Sequence, residues 1–176
     1  IGDLIAAADY LRENYDAPRI LIGHSLGGSA VLAAAGSIPE TAAVVTIGAP
    51  AETEHIVRLI GDDLSTIERD GVAEVNLGGR PFRIEMQPQQ ERIASLGAAL
   101  LVLHSPVDGT VGIDNARIIF DAARHPKSFI AIDGANHLLS HKQDATYVAA
   151  IIGHWASRYA LTDPPAEAIG RGPDLA

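Results

Sequence analysis

Four short apolar runs, none alternating with polar residues, constrain this chain more than any other feature. They fall at residues 19–23 ("RILIG"), 43–47 (within "AAVVTIGAP"), 100–103 and 128–132. A strand that is apolar on both faces has to be covered on both faces, as strands are inside a parallel sheet. Helical spacing fills the intervals. Ile1, Leu4, Ile5, Ala8, Leu11 and Tyr15 recur on one helix face before Pro18. A second helix over residues 26–35 is stopped by Gly36 and Pro39. Asp114 stands where it can cap a third, in which Ala116, Ile119, Phe120 and Ala123 share a face. A last helix, 141–159, carries the stripe Val148, Ile151, Ile152, Trp155 and Tyr159. Strand and helix in alternation imply right-handed crossovers and an α/β fold.

The rhythm breaks between residues 51 and 97. A helical stretch with Ile56, Val57, Ile60, Leu64 and Ile67 precedes "AEVNLGGRPFRIEM". There Val75 and Leu77, then Phe82, Ile84 and Met86, alternate with polar residues around Gly78-Gly79, the pattern of a hairpin. The expectation is a small lid-like insertion at 51–97; a plain structural excursion is the other reading. Residues 1–160 then make one domain. Residues 161–176 ("LTDPPAEAIGRGPDLA") have no periodicity and read as a linker or tail.

Composition removes several functions. The formal net charge of −9 argues against a nucleic-acid partner or an anionic membrane surface, both of which need a basic patch. The absence of cysteine removes disulfides, thiolate catalysis and cysteine metal sites from this segment. No apolar run approaches the roughly 20 residues of a membrane span, and no signal peptide is visible, so the expected compartment is the cytoplasm. The chain starts at Ile1, inside a helical pattern, which leads us to expect a piece of a longer protein.

In a parallel sheet the loops after the strands' carboxyl ends share one edge, where such sheets bind ligands. Those loops carry His24 and Ser25, then Glu52, then His104 and Asp108, then Asn136 and His137. A serine hydroxyl needs an imidazole to take its proton as it attacks a carbonyl, and an acid to fix the imidazole's tautomer. Ser25 stands between Gly23 and Gly27, as in a sharp strand-to-helix turn that presents the hydroxyl and leaves no room for neighbouring side chains. The N–H of Leu26, at the start of the helix, is placed to donate to a developing oxyanion.

Two acids compete. Asp108 follows the third strand and Glu52 the second, and Asp108 is also a good turn former in "PVDGT". Among the histidines His137 is the candidate base. His104 is expected to bond locally, and His24 to point away from Ser25. His55, His125 and His154 read as surface or helix-face residues, and Asp133 as a turn residue. His141 lies four after His137 without the intervening glutamate of a zinc helix, so no metal is called for. Phe82, Met86 and Leu138 are candidates for an acyl pocket, with core packing as the plainer reading.

The strings "GHSLGG", "HSPVDGTV" and "DGANH" resemble the α/β-hydrolase fold. More narrowly, "AADYLREN", "LLVLHSPVDGTVGIDNARIIF" and "ARHPKSF…DGANHLLS" resemble the hydrolase domain of bacterial proteins fused to a C-terminal OsmC-like domain. The resemblance implies that Ser25 is the nucleophile, Asp108 the acid and His137 the base. It makes the Leu26 N–H one oxyanion donor, and it calls for no cofactor. It also implies that the chain is the C-terminal half of the family's sheet. The second oxyanion donor would then lie upstream, residues 20–23 would form an open edge, and the segment alone would be inactive and aggregation-prone. The expected partners are a small acyl substrate and the linked OsmC-like domain. The function implied is ester hydrolysis through an acyl-enzyme. Acyl transfer on the same triad and a non-catalytic binding module are the alternatives.

Overall fold

A computed structural model describes residues 1–51, 72–77, 80–85 and 89–160. In chain order the elements are α1 (Gly2–Asn14), β1 (Ile20–His24), α2 (Leu26–Ala34), β2 (Ala43–Ile47), β3 (Val72–Leu77), β4 (Arg80–Glu85), α3 (Gln89–Ala94), β5 (Ala99–His104), α4 (Asp114–Ala122), β6 (Lys127–Ala131) and α5 (Lys142–Ala160). The expected helical stretch from Ile56 to Ile67, the Gly78-Gly79 turn, Met86 and the tail from residue 161 lie outside the described residues. So do Glu52 and His55.

All four apolar runs are strands of one sheet, ordered β1-β2-β5-β6, and every pairing is parallel. The fold is α/β, as the alternation predicts. Ile22 pairs with Val45, Val45 with Leu101, and Leu101 with Ser128. Alternation along the strands divides the core. Val44, Leu100 and Val102 face Val31, Leu32, Ala116 and Ile119 of α2 and α4. Val45, Leu101 and Leu103 face the other way, onto Val148 of α5, with Ile151, Ile152 and Trp155 packed against them. Burying each of these aliphatic side chains contributes about 1.5–3 kcal/mol.

The runs are not equally buried. Every residue of β5 is buried, and all but the last of β2. The outer strands are half covered: Ile22 of β1 is 51% exposed and Phe129 of β6 is 42% exposed. The apolar run alone reads as a fully buried first strand; β1 is instead an edge strand, as the resemblance implies, with a hydrogen-bonded neighbour on one side only among the described residues. The helix α1 also buries less than its spacing suggests. Ala8 is buried and Leu4 and Ile5 pack beside it, whereas Ile1, Leu11 and Tyr15 are exposed.

Within the 51–97 segment, β3 and β4 pair antiparallel as the hairpin pattern predicts, with Val75 opposite Phe82 and Ala73 opposite Ile84. Asp114 does not cap α4. It is the helix's first residue, Ile113 holds the N-cap position, and no side-chain cap is made. Asp114 instead lies 3.7 Å from Arg117 on the exposed face, a pair with little energetic weight.

Candidate active site

The carboxyl ends of β1, β5 and β6 deliver one serine, one aspartate and one histidine to the same place. His137 Nε2 lies 2.9 Å from Ser25 Oγ, and His137 Nδ1 lies 2.7 Å from Asp108 Oδ2. One imidazole is thus bonded at both nitrogens. The carboxylate only accepts, so Nδ1 carries a proton and Nε2 is left to accept from the serine hydroxyl. The Asp108 side chain is 2% exposed and the His137 side chain 10%. The polar contacts therefore form largely out of water, where they are electrostatically stronger.

Ser25 adopts φ = 52° and ψ = −125°, in the left-handed region that a residue with a Cβ avoids at a cost of about 1–3 kcal/mol. Its own N–H donates to Ile47 O (2.8 Å), and Gly28 N–H donates to Ser25 O (2.8 Å). These bonds anchor the strained residue between β2 and the start of α2. Leu26 opens α2, where the first N–H groups have no partner within the helix. The positive end of the helix dipole accordingly lies beside the hydroxyl.

The turn needs glycine, but not where the motif alone suggests. A Cβ on Gly23 would meet the carbonyl oxygen of Gly27 at 2.2 Å, so residue 23 admits no side chain. A Cβ on Gly27 would meet nothing within 4 Å. The second crowded position is Gly28, where a Cβ would stand 2.5 Å from the Ala49 Cβ, because α2 leans directly on the loop after β2. The expectation that Gly27 is excluded from bearing a side chain is therefore corrected: Gly28 holds that role.

Asp108 serves both of the readings open to it. Its Oδ1 accepts from the N–H groups of Thr110 (2.8 Å) and Val111 (2.9 Å), closing the turn, while Oδ2 faces His137. Burial pushes the carboxyl's pKa up. The bonds from His137, Val111 and Thr110 together outweigh that and hold it below the usual aspartate value. His104 bonds locally, as expected: its buried ring donates from Nε2 to Val111 O (2.8 Å) and so braces the turn that carries Asp108.

Two contributors are not apparent from the motifs. Gly48, in "TIGAP", has φ = +54°, and a Cβ there would stand 3.3 Å from both Asp108 Oδ2 and His137 Nδ1. Its bare backbone lies against the Asp–His bond. A glycine directly after a buried strand, at the edge that carries the other loops, is the available signal. The second is a set of buried polar side chains that tie α2 and the loop after β2 to their neighbours. Ser29 Oγ donates to Pro50 O (2.6 Å), Gln89 Nε2 to Ser29 O (3.2 Å), and Asn115 Oδ1 accepts from Ala51 N–H (2.9 Å).

The remaining candidates separate. His24 does not point away from the site; its Nε2 lies 2.7 Å from His137 O. His125, His141, His154 and Asp133 are exposed. His154 Nδ1 bonds Ala150 O within its own helix. Leu138 is 73% exposed, so the core reading fails for it. Among the described residues no group of three or more histidines, aspartates and glutamates could hold a metal ion, and no helix is long and apolar enough to cross a membrane.

No family model matches the chain, and no curated protein does. Solved structures do. The esterase domain of a Rhodothermus marinus protein is similar at 49% identity and a TM-score of 0.76, over 89% of this chain and 67% of that one. Est1E from Butyrivibrio proteoclasticus shares the fold at 16% identity and a TM-score of 0.65. The Paleococcus ferrophilus monoacylglycerol lipase shares it at 18% identity and 0.61. This chain spans 68% and 75% of those two. The identity to the Rhodothermus marinus domain, carried over most of the chain and on the same parallel sheet, shows that this chain belongs to the α/β-hydrolase family.

Proposed function

We propose that the chain is the catalytic part of a serine esterase acting through Ser25, His137 and Asp108. One observation carries the reading: His137 is bonded at Nε2 to a strained, half-buried serine hydroxyl and at Nδ1 to a buried carboxylate. Ser25 Oγ attacks the ester carbonyl carbon as its proton passes to His137 Nε2. The new imidazolium is stabilised by Asp108 Oδ2. The oxyanion lies at the start of α2, with the Leu26 N–H as one donor. Collapse of the tetrahedral intermediate returns the proton from Nε2 to the departing alkoxide and leaves an acyl group on Ser25. Water, deprotonated by the same nitrogen, then attacks the acyl carbon and releases the acid.

The similar esterase domain favours hydrolysis over acyl transfer to another acceptor, which the same three residues would also support. The strings quoted above further suggest a linked OsmC-like domain, and a cytoplasmic location stays the expectation drawn from composition. The test is turnover of p-nitrophenyl esters of graded chain length by the intact protein and by Ser25→Ala. Loss of the nucleophile and its base-assisted attack is expected to lower kcat by on the order of 10^4-fold or more. Turnover within tenfold of wild type in Ser25→Ala, or no turnover of any ester by the intact protein, would remove the proposal in favour of a binding module.

A further inference from the structure

His24 is the residue that the triad reading leaves without a task. It ends β1, one position before Ser25, and strand alternation would aim it away from the nucleophile. Instead its Nε2 lies 2.7 Å from the carbonyl oxygen of His137, and the two imidazole rings are 5.0 Å apart at 38°. A carbonyl only accepts, so His24 donates from Nε2. The alternation ends at Ser25. Its φ of 52° departs from extended backbone, so His24 and Ser25 are not held to opposite faces of the sheet.

We propose that His24 is a positioning residue, which ties the main chain of the base to the elbow that carries the nucleophile. The inference rests on the triad reading above. Two separate elements supply Ser25 and His137, and the bond between them joins only the tips of two side chains. Besides the Asp108 contact at Nδ1 and the packing of Leu139 on the core, the loop carrying His137 is held by short-range bonds: Leu139 N–H to Asn136 O (3.1 Å) and Ser140 N–H to Asn136 Oδ1 (3.0 Å). Neither bond fixes the loop's distance from β1. The His24 bond does, because it runs from the residue next to Ser25 to the backbone of His137 itself. A base displaced by a fraction of an ångström loses the alignment on which proton transfer depends. His24 touches neither the reacting serine nor the substrate carbonyl in this account. Its effect should therefore fall on kcat and leave KM nearly unchanged.

Two variants separate the hydrogen bond from the ring. His24→Phe keeps a ring against His137 and loses the donor. His24→Gln loses the ring and returns an N–H at the position of Nε2. Both are measured in the intact protein on p-nitrophenyl acetate, beside Ser25→Ala, with rates normalised to active sites by fluorophosphonate titration so that unfolded protein does not count. His24→Phe is expected to lower kcat about tenfold with KM changed less than about twofold, and His24→Gln to regain most of the loss. A loss below about threefold in His24→Phe, a loss confined to KM, or a His24→Gln as slow as His24→Phe would each overturn the inference. Ser25→Ala keeps the two failures apart. If it stays active the triad reading is wrong. If it is inactive while His24→Phe is unimpaired, only the role of His24 is wrong.

Discussion

At Asp108 the two carboxylate oxygens are spent on different partners, Oδ1 on the N–H groups of Thr110 and Val111 and Oδ2 on His137. Asp108→Asn keeps an oxygen for the turn and turns an amide toward Nδ1. That amide donates where a carboxylate accepts, so it favours the tautomer with its proton on Nε2, which cannot take the serine's. A fall in kcat on the order of 10^3–10^4-fold is expected, with the fold intact by circular dichroism. The same residue gives a stability prediction. The aspartate's folded pKa lies below its unfolded value, so its contribution is fully present above the ordinary aspartate range, near about pH 4, and is lost as pH falls through the lower folded value. The gap in Tm between wild type and Asp108→Asn should narrow in acid; a gap constant from about pH 7 to about pH 3 would contradict the assignment. That Ser25, Asp108 and His137 meet was legible in the sequence, since each follows the end of an apolar run, with Asp108 set above Glu52 by its sequence context and the resemblance. Gly48 and His24 were not. What they do depends on which backbone lies against the Asp–His bond and on how the elbow turns, and both follow from the packing of three loops distant in sequence.

The elbow between β1 and α2 is an element whose glycines have unequal tasks. Gly23 faces the Gly27 carbonyl and Gly28 faces Ala49, while Gly27 faces open space. Gly28→Ala has to push α2 off the loop after β2 and is expected to cost about 1–3 kcal/mol, read as a fall in Tm and in active protein. Gly27→Ala adds a methyl without a clash and replaces a poor helix former, for a change between zero and about 1 kcal/mol of stabilisation. Chemical denaturation of the two variants decides the matter. A Gly27→Ala protein as destabilised as Gly28→Ala would mean that the elbow is packed differently. The motif spelled out the need for small residues around Ser25. It could not say which glycine meets a neighbour, because Ala49 arrives from the next strand's loop. The missing Asp114 cap has a similar origin: the helix begins one residue earlier than its polar signal suggests, with Ile113 as N-cap.

Across the whole molecule the parallel sheet was readable because burial on both faces forces unbroken apolar runs, and β2 and β5 meet that condition. The runs in β1 and β6 are as apolar, yet they lie at the sheet's sides with Ile22 and Phe129 half exposed. Hydrophobicity identified the strands, while their order came from crossovers that a linear reading does not record. The order matters for function. With β5 between β2 and β6, the loop after β5 sits beside Gly48 on one side and the His137 loop on the other, which is where Asp108 has to be.

That arrangement has one purpose in this account, the activation of Ser25. Labelling the intact protein with a fluorophosphonate, followed by mass spectrometry of its peptides, measures it directly. A single adduct is expected on the peptide containing Ser25, formed at neutral pH and absent from His137→Ala at matched protein concentration. An adduct on another serine, or equal labelling of Ser25 without His137, would contradict it.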